Sequence, residues 1–205
     1  MDESSRPVSG WEYQTDKVIL LPYSQQNQKM FREHFLAELY FRLRDEETLS
    51  IIFPGMGIAH LNDFIRYMAR AFGFVIPALR DGEKVIPVGL GWIPEMDGVD
   101  GARKAAFGFG FFKEMWVNRE RVRRHVDLST LMLAYWFQEC KIDILYGTSI
   151  NPKAINYSRR FGFSEPYLLP KFFCRDGVLT DARLIHLEKE TFLPYYSRWR
   201  CLLNS

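Results

Sequence analysis

The most constraining feature of this sequence is a strand–helix–strand succession between residues 105 and 148. Ala105 to Phe112 is an apolar run, and Ile142 to Thr148 is a second one. Between them, from about Asp127 to Cys140, apolar residues recur at spacings of three and four, which predicts an amphipathic helix. Two strands joined through such a helix lie parallel in one sheet, with a right-handed connection. The unit therefore predicts an α/β fold in which helices cover a sheet.

The rest of the chain predicts a sheet that is mostly antiparallel. The other predicted elements are a strand at 18–21, helices at about 28–43 and 59–71, strands at 74–79 and 85–93, and two closing strands at about 167–174 and 182–187. Asp81-Gly82 separates the middle pair of strands, and both positions tolerate the positive φ of a tight hairpin. The predicted fold class is a mixed α/β fold with a mostly antiparallel central sheet and helices on both faces.

Length and composition fit one globular domain. The chain has 205 residues, of which 47% are hydrophobic and 25% charged, and this excludes a disordered or low-complexity chain. We expect a flexible polar lead-in at 1–16 and a single domain at 17–205. The net charge of +2 is too small to indicate a bulk polyanion binder.

The cysteines and the hydropathy pattern indicate a cytoplasmic protein without metal. Cys140, Cys174 and Cys201 are widely spaced and odd in number, so they form neither a zinc-ligand pattern nor a paired disulfide framework. A reducing compartment fits this best. The first ten residues are polar and lack the apolar stretch of a signal peptide, and no window approaches 18 apolar residues. We therefore expect no membrane attachment.

The order of elements and one local motif resemble the GNAT family of N-acetyltransferases. The motif is Asn151-Pro-Lys-Ala154-Ile-Asn-Tyr157-Ser158-Arg-Arg-Phe161-Gly162-Phe163. Its Asn and Pro are typical of a helix start, and Gly162 can adopt the left-handed conformation that ends one. The resemblance implies the GNAT-like acyl-CoA N-acyltransferase fold. It also implies an acetyl-CoA site in a V-shaped opening between the strands at 105–115 and 142–149.

Some residues near this opening have two interpretations. Gly108 and Gly110 alternate with phenylalanines, so they either let a ligand approach the backbone or pack in the core beside large rings. Trp92, Phe112 and Trp116 could line an acceptor groove and could equally belong to the core.

The implied pyrophosphate loop departs from the family pattern. The nearest frame is Arg124 to Ser129, where Asp127 and Ser129 replace small residues. A carboxylate about 4 Å from a phosphate costs on the order of 4 kcal/mol at an effective dielectric near 20. Either Asp127 turns aside as a helix cap, or the CoA site is lost or altered. In the first case the resemblance implies CoA contacts from Met115, Trp116, Val117, Arg119, Arg121, Arg123, Arg124, Ser129 and Asn151, and the amides near Met115 to Val117 would polarise the thioester carbonyl.

The catalytic residues implied by the resemblance are Glu114, Tyr157 and Ser158. Many family members have a tyrosine seven residues after the Asn, where it can protonate the departing thiolate. Here Ser158 occupies that position and Tyr157 precedes it, and one residue turns a side chain by about 100° around a helix. Glu114, at the end of the fourth strand, could take a proton from an amine, and His125 is the alternative base.

Three functions remain open from the sequence. The first is a GNAT-like N-acyltransferase that moves an acetyl or other acyl group from acyl-CoA to an amine of a small molecule or a protein. The second is a catalytically inactive GNAT-like module with a structural or partner-binding role. The third is a nucleic-acid-modifying transferase that uses the arginine-rich stretch as a phosphate contact. The aromatic stretch from Phe192 to Trp199 additionally predicts packing on a second copy, as in a homodimer.

Overall fold

A computed structural model describes residues 13–23, 35–53, 56–99, 101–175 and 177–203. The described strands are β1 (Val18–Pro22), β2 (Phe72–Asp81), β3 (Lys84–Pro87), β4 (Gly89–Ile93), β5 (Met96–Asp97), β6 (Lys104–Ala106), β7 (Gly108–Phe111), β8 (Ile144–Ser149), β9 (Ser164–Arg175) and β10 (Val178–Glu188). The described helices are α1 (Ala37–Asp45), α2 (Leu49–Ile52), α3 (Leu61–Met68), α4 (Arg119–Gln138), α5 (Pro152–Ser158) and α6 (Lys189–Leu203), with 3-10 turns at Lys113–Trp116 and Arg159–Phe161.

The strands form two five-stranded sheets that are joined through β6 and β7. One sheet has the order β1-β2-β4-β7, with β3 also on β2, and the other has the order β5-β6-β8-β10-β9. Phe107 alone separates β6 from β7, so one extended stretch passes from the second sheet into the first. Among the described strands, β6 and β8 are parallel and the other pairs are antiparallel. This confirms the predicted mixed, mostly antiparallel α/β fold class.

Helices cover both faces of the sheets. On one face, α4 and α6 contribute Leu131, Trp136 and Phe192 to a buried core that includes Val75 of β2. On the other face, α1 and α3 form a second core with strand residues whose side chains alternate with those of the first, among them Phe74, Ile76, Leu90 and Trp92. The two-residue period of a strand accounts for this division, because neighbouring side chains point to opposite faces.

The alternating run from Phe107 to Phe111 follows the same rule. A Cβ atom on Gly108 would lie 2.3 Å from the Trp92 ring, and one on Gly110 would lie 2.4 Å from a side-chain carbon of Ile52. These two positions require glycine because the indole and the short helix α2 pack directly on the backbone there. Of the two interpretations of Gly108 and Gly110, packing in the core agrees with the contacts that these glycines make.

The long helix begins eight residues before its predicted start. Helix α4 starts at Arg119, and the Asn118 side chain caps it by accepting a hydrogen bond from the Arg121 amide at 2.9 Å. Asp127, which one of the two alternatives above predicts as a helix cap, lies inside the helix and is buried, so that prediction was wrong. The reason is that the stretch from Arg119 to Arg124 has a single apolar residue, and apolar periodicity cannot register a charged first turn.

The aromatic C-terminal stretch forms helix α6, which the sequence did not predict. Phe192 is fully buried and Tyr196 nearly so, and both belong to the core around α4. These rings are thus interior and do not offer a surface for a second copy, although a homodimer through another surface stays a prediction. Pro194 lies inside the helix and concealed it in the sequence, because proline is disfavoured in helix interiors.

The described part of the predicted lead-in contacts the folded body. Tyr13 is buried, and its hydroxyl donates to Glu139 of the segment after α4 at 2.9 Å. Residues 1–12 lie outside the described residues, as does much of the helix predicted at 28–43. None of the described helices is long and apolar enough to cross a bilayer. Within the described ranges, no group of three or more metal-ligating side chains comes together.

Candidate functional site

The parallel pair β6 and β8 separates after three residue pairs. The register joins Lys104 to Ile144, Ala105 to Leu145 and Ala106 to Tyr146. One further hydrogen bond runs from the Phe107 amide to the Tyr146 carbonyl at 3.1 Å. Beyond it, β7 pairs with β4 and the rest of β8 pairs with β10, so each strand is partnered on its outer side. A gap therefore opens between β7 and the end of β8, as the sequence analysis expected.

Backbone groups of β7 and β8 point into this gap. The Phe107 amide faces β8, whereas the Phe112 amide donates to the Val88 carbonyl on the β4 side at 2.9 Å. Because backbone direction alternates along a strand, Phe109 and Phe111 present their amide and carbonyl groups on the β8 side. By the same alternation Thr148, two residues after Tyr146, presents its groups towards β7. The gap is thus bordered by peptide groups that can pair with another amide.

A cluster of rings fills the end of the gap nearest α4. The His125 ring centroid lies 4.0 Å from that of Phe111, 4.1 Å from that of Trp116 and 4.4 Å from that of Tyr157. These three neighbours come from β7, the 3-10 turn and α5, and so from both sides of the gap. His125 has no exposed surface, while Trp116 is 49% exposed. Trp116 is therefore the outer ring of the cluster, and we call these four residues the ring cluster.

His125 is buried without a hydrogen-bond partner for its ring. Both ring nitrogens are buried and unpaired among the described residues. Burial, followed by the nearby positive charge of Arg160, lowers the pKa of His125 to about 3. The ring is therefore neutral near pH 7, with one nitrogen that donates and one that accepts.

Tyr157 faces the gap and Ser158 does not. The Tyr157 hydroxyl donates to the Ser129 hydroxyl at 2.9 Å and lies 3.2 Å from the His125 carbonyl oxygen. Burial raises the pKa of Tyr157 above its ordinary value. The Ser158 hydroxyl instead donates to the Ile155 carbonyl of its own helix at 2.8 Å. Of the two residues predicted as acids, Tyr157 is the one that belongs to the ring cluster.

Asp127 points away from the gap. Its carboxylate accepts a hydrogen bond from the Trp199 indole at 3.0 Å and lies 3.9 Å from the Arg124 guanidinium. It lies two positions after His125, which is about 200° around the helix. Burial raises the pKa of this carboxyl group. Asp127 therefore turns aside, as the first of the two alternatives for the pyrophosphate loop requires. Its side chain is held by Trp199 of α6, however, and does not cap a helix.

Glu114 lies in the turn that follows β7 and is held by α1. Its carboxylate is 2.9 Å from the guanidinium of Arg42. Arg42 also donates to the Pro87 carbonyl at 2.9 Å and stacks over the Phe112 ring at 3.7 Å. Glu114 is still partly exposed, with 41% of its side-chain surface accessible. The arginine fixes the carboxylate at the end of the gap-lining strand.

The turn uses two of the amides that the resemblance assigned to the thioester carbonyl. The Met115 amide donates to the Phe112 carbonyl at 3.0 Å and the Val117 amide to the Glu114 carbonyl at 3.5 Å. Met115 is fully buried, and Val117 is 75% exposed. The turn therefore shapes the chain before α4, and peptide groups of β7 are better available to a ligand than these.

The arginines predicted to bind phosphate lie in the first two turns of α4. Arg119 and Arg123 are exposed and Arg121 is half-buried. Arg124 already pairs with Glu120 at 3.5 Å and with Asp127. The first amides of a helix lack carbonyl partners within it, so the start of α4 offers positive potential together with the exposed arginines.

The motif after β8 folds as its residues predict. The Asn151 side chain accepts from the Lys153 amide at 3.0 Å and so caps α5, with Pro152 in the first turn. Gly162 ends the segment at φ +94°, in the left-handed region. Asn151 is exposed beside the end of β8.

Comparison with known proteins finds likeness in structure. No protein-family model matches the sequence, and no curated protein does. A GCN5-related N-acetyltransferase from Brucella melitensis superimposes with a TM-score of 0.64 at 14% identity, over 93% of this chain and 84% of that one. The chain has the GNAT fold. A spermidine/spermine N-acetyltransferase from Vibrio cholerae gives a TM-score of 0.56 at 14% identity, over 87% of this chain and 96% of that one. A GNAT-family acetyltransferase from Bacillus anthracis gives a TM-score of 0.53 at 14% identity, over 86% of this chain and 98% of that one.

Within this GNAT fold, the ring cluster is the feature that the sequence did not predict as a unit. His125 was predicted only as an alternative base, and Trp116 as a CoA contact, a wall of the acceptor groove or a core residue. The missing information was the start of α4. Once that helix begins at Arg119, His125 and Ser129 fall four residues apart on one face, and both then contact Tyr157.

Proposed function

We propose that this GNAT-fold protein is an N-acyltransferase that moves an acetyl or other acyl group from acyl-CoA to an amine. The observation that supports this most is the separation of β7 from β8, with peptide groups of Phe109, Phe111 and Thr148 bordering the gap. The arm of CoA contains two amides, and an open strand edge can pair with amides as it would with another strand.

The start of α4 fits the phosphates of the same ligand. Exposed Arg119 and Arg123 and the first amides of the helix lie where the chain leaves the gap-lining strand. Positive helix termini and arginines favour phosphate. When bound, acyl-CoA supplies an acyl group activated as a thioester. The side chains of this protein orient that group, exclude water and move protons.

Tyr157 and Glu114 are the side chains that we assign to proton movement. Tyr157 lies inside the ring cluster with its hydroxyl hydrogen-bonded to Ser129, and it would give a proton to the thiolate that leaves CoA. Glu114, fixed by Arg42 at the end of β7, would accept the proton of the attacking amine directly or through water.

We propose a small-molecule amine as the acceptor. Three of the structural neighbours are named as spermidine or spermidine/spermine N-acetyltransferases, which supports this class. An open depression of about 480 Å³ lies beside α1, α2 and the segment before α3, and both Glu47 and Arg44 are among its lining residues. Helix α2 packs on Gly110 of β7 through Ile52, on the face opposite α4, so the depression suits an acceptor that approaches from that face. Spermidine is therefore the first acceptor to assay.

The proposal is tested in two measurements on the full chain. Isothermal titration with CoA should give saturable heat, and release of free thiol from acetyl-CoA should depend on added spermidine or another amine. An absence of heat at millimolar CoA would contradict the proposal and leave a GNAT-fold module without catalysis. Binding of CoA without thiol release for any amine of a broad panel would limit the function to CoA binding.

A further inference from the structure

We propose that His125 is a binding residue for the amide-bearing arm of acyl-CoA, and that Trp116 covers it until that arm enters the gap. This inference rests on the proposed function and specifies one contact within it. It concerns a side chain of this particular sequence, in addition to the strand edge described above.

The unpaired ring of His125 is the first argument. Nearly all buried polar groups in folded proteins have a hydrogen-bond partner, yet neither nitrogen of this fully buried ring has one among the described residues. A phenylalanine would fill the same space among Phe111, Trp116 and Tyr157 without leaving polar atoms unpaired. A ligand that pairs with the ring gives the imidazole a purpose at this position.

The position of the ring identifies which part of the ligand it meets. The ring cluster joins the end of β7 to α5, which places His125 between the two diverging segments and not at the exposed start of α4. The phosphates belong at the helix start, and the arm belongs in the gap.

The charge of the ring agrees with this position. With its pKa lowered to about 3, the imidazole is neutral near pH 7, so it suits a neutral amide better than a phosphate. One ring nitrogen can donate to an amide carbonyl and the other can accept from an amide N–H.

Trp116 is the least anchored ring of the cluster. It lies at the end of the 3-10 turn and is half exposed, next to Val117, which is 75% exposed. The indole N–H groups of Trp92, Trp136 and Trp199 each donate to a protein oxygen, but that of Trp116 has no such partner within the described residues. Tyr157, by contrast, is fixed through Ser129. Rotation of Trp116 would open His125 to the gap with the smallest loss of protein contacts.

The test compares His125→Phe with wild type for stability and for binding of three ligands: CoA, pantetheine and adenosine 3′,5′-bisphosphate. We expect the variant to be at least as stable as wild type, because it removes unpaired polar atoms. We also expect it to bind CoA and pantetheine about five- to tenfold more weakly, as one hydrogen bond is lost. Binding of the bisphosphate should not change. The matched control is His186→Phe, which alters a β10 histidine that contacts Ser164 of β9. This variant should bind all three ligands like wild type.

A second variant tests the same contact in case His125→Phe folds poorly. His125→Asn keeps one donor and one acceptor and should bind CoA within about threefold of wild type if a polar contact is what matters. The difference in tryptophan fluorescence between wild type and Trp116→Phe reports on Trp116 alone. This difference should change when pantetheine is added, because Trp116 leaves the cluster.

The outcomes separate this inference from the proposed function. If wild type binds no CoA, the proposed function fails. If wild type binds CoA and His125→Phe binds it equally well, or if the loss extends to the bisphosphate, His125 does not contact the arm and only this inference is overturned. An unchanged Trp116 signal on saturation would exclude the covering role of that ring.

Discussion

Tyr157 and Ser158 are adjacent in sequence but have different surroundings. The helix turns Tyr157 towards Ser129 on α4 and into the ring cluster, while the Ser158 hydroxyl returns to a carbonyl of its own helix. The Ser158 hydroxyl is directed back to its own helix, whereas the Tyr157 ring lies in the cluster that fills the end of the gap. The spacing from Asn151 favours Ser158 as the acid, and the packing favours Tyr157.

This contrast predicts different kinetics for two variants. Tyr157→Phe should lower kcat for acetyl transfer by about a hundredfold, since general acid catalysis contributes about 10² to 10⁴ in rate. It should also cost about 1 kcal/mol of stability through the lost hydrogen bond. Ser158→Ala should keep kcat within about twofold. Steady-state rates at saturating acetyl-CoA check both, and the reverse pattern would assign the proton to Ser158.

Burial of His125 predicts a pH-dependent stability. Its pKa is about 3 in the folded protein, against an ordinary value of 6.5, so below pH 6.5 the unfolded chain binds the extra proton. Stability therefore falls as the pH decreases from 6.5 towards 3, by up to about 1.4 kcal/mol per pH unit. The charged and titratable neighbours are Arg160, which opposes protonation, and Tyr157, which stays neutral in this range.

The measurement is urea unfolding of wild type and His125→Phe at pH 7, 6 and 5. The stability difference should shift in favour of the variant by about 2 kcal/mol between pH 7 and pH 5. Asp127 has a raised pKa and contributes with the opposite sign, but it is present in both proteins and cancels in the difference. A difference that stays constant with pH would show that His125 is protonated normally.

At the scale of elements, the start of α4 decides which residues face the gap. Asn118 begins the helix well before the apolar stripe does, and this puts His125 and Ser129 on the inner face and Asp127 on the side of α6. A helix beginning at Asp127 would have left His125 in a loop. The ring cluster therefore depends on a cap that lies before the apolar pattern.

Two substitutions of Asn118 separate its structural role from ligand binding. Asn118→Ala should destabilise the protein by about 1 kcal/mol through loss of the cap. Asn118→Asp keeps the cap and should leave stability near that of wild type, since an acidic residue favours a helix start. The added charge should nonetheless weaken CoA binding if phosphate lies at this terminus. Chemical denaturation and CoA titration check the pair. Unchanged CoA affinity in Asn118→Asp would place the phosphates elsewhere.

At the scale of the whole molecule, helix α6 completes the core. It follows β10 without a loop and covers α4 with Phe192, Tyr196 and Trp199, and the last of these holds the buried Asp127 carboxylate. The C-terminal helix thus stabilises the same helix that supplies His125 to the ring cluster.

Truncation of one interior ring tests this role. Phe192→Ala should cost roughly 3 to 5 kcal/mol because the side chain is fully buried. Leu179→Ala, at a β10 position that is 56% exposed, should change stability by at most about 0.5 kcal/mol. Thermal unfolding measures both, and sedimentation should show the same oligomeric state for both. A change in oligomeric state with little loss of stability in Phe192→Ala would instead support packing of this stretch on a second copy.

Local patterns in the sequence were sufficient for the fold class and for the helix signals of the Asn151 motif. The parallel crossover follows from strand–helix–strand order, and Asn151 and Gly162 act through their own backbone neighbours. Separation of β7 from β8 could be expected only through the family resemblance. Tertiary structure alone decided what fills the gap, because ring contacts among Phe111, Trp116, His125 and Tyr157 join four elements whose mutual orientation no local spacing encodes. It also decided that Asp127 turns aside, since its partner Trp199 lies 72 residues away.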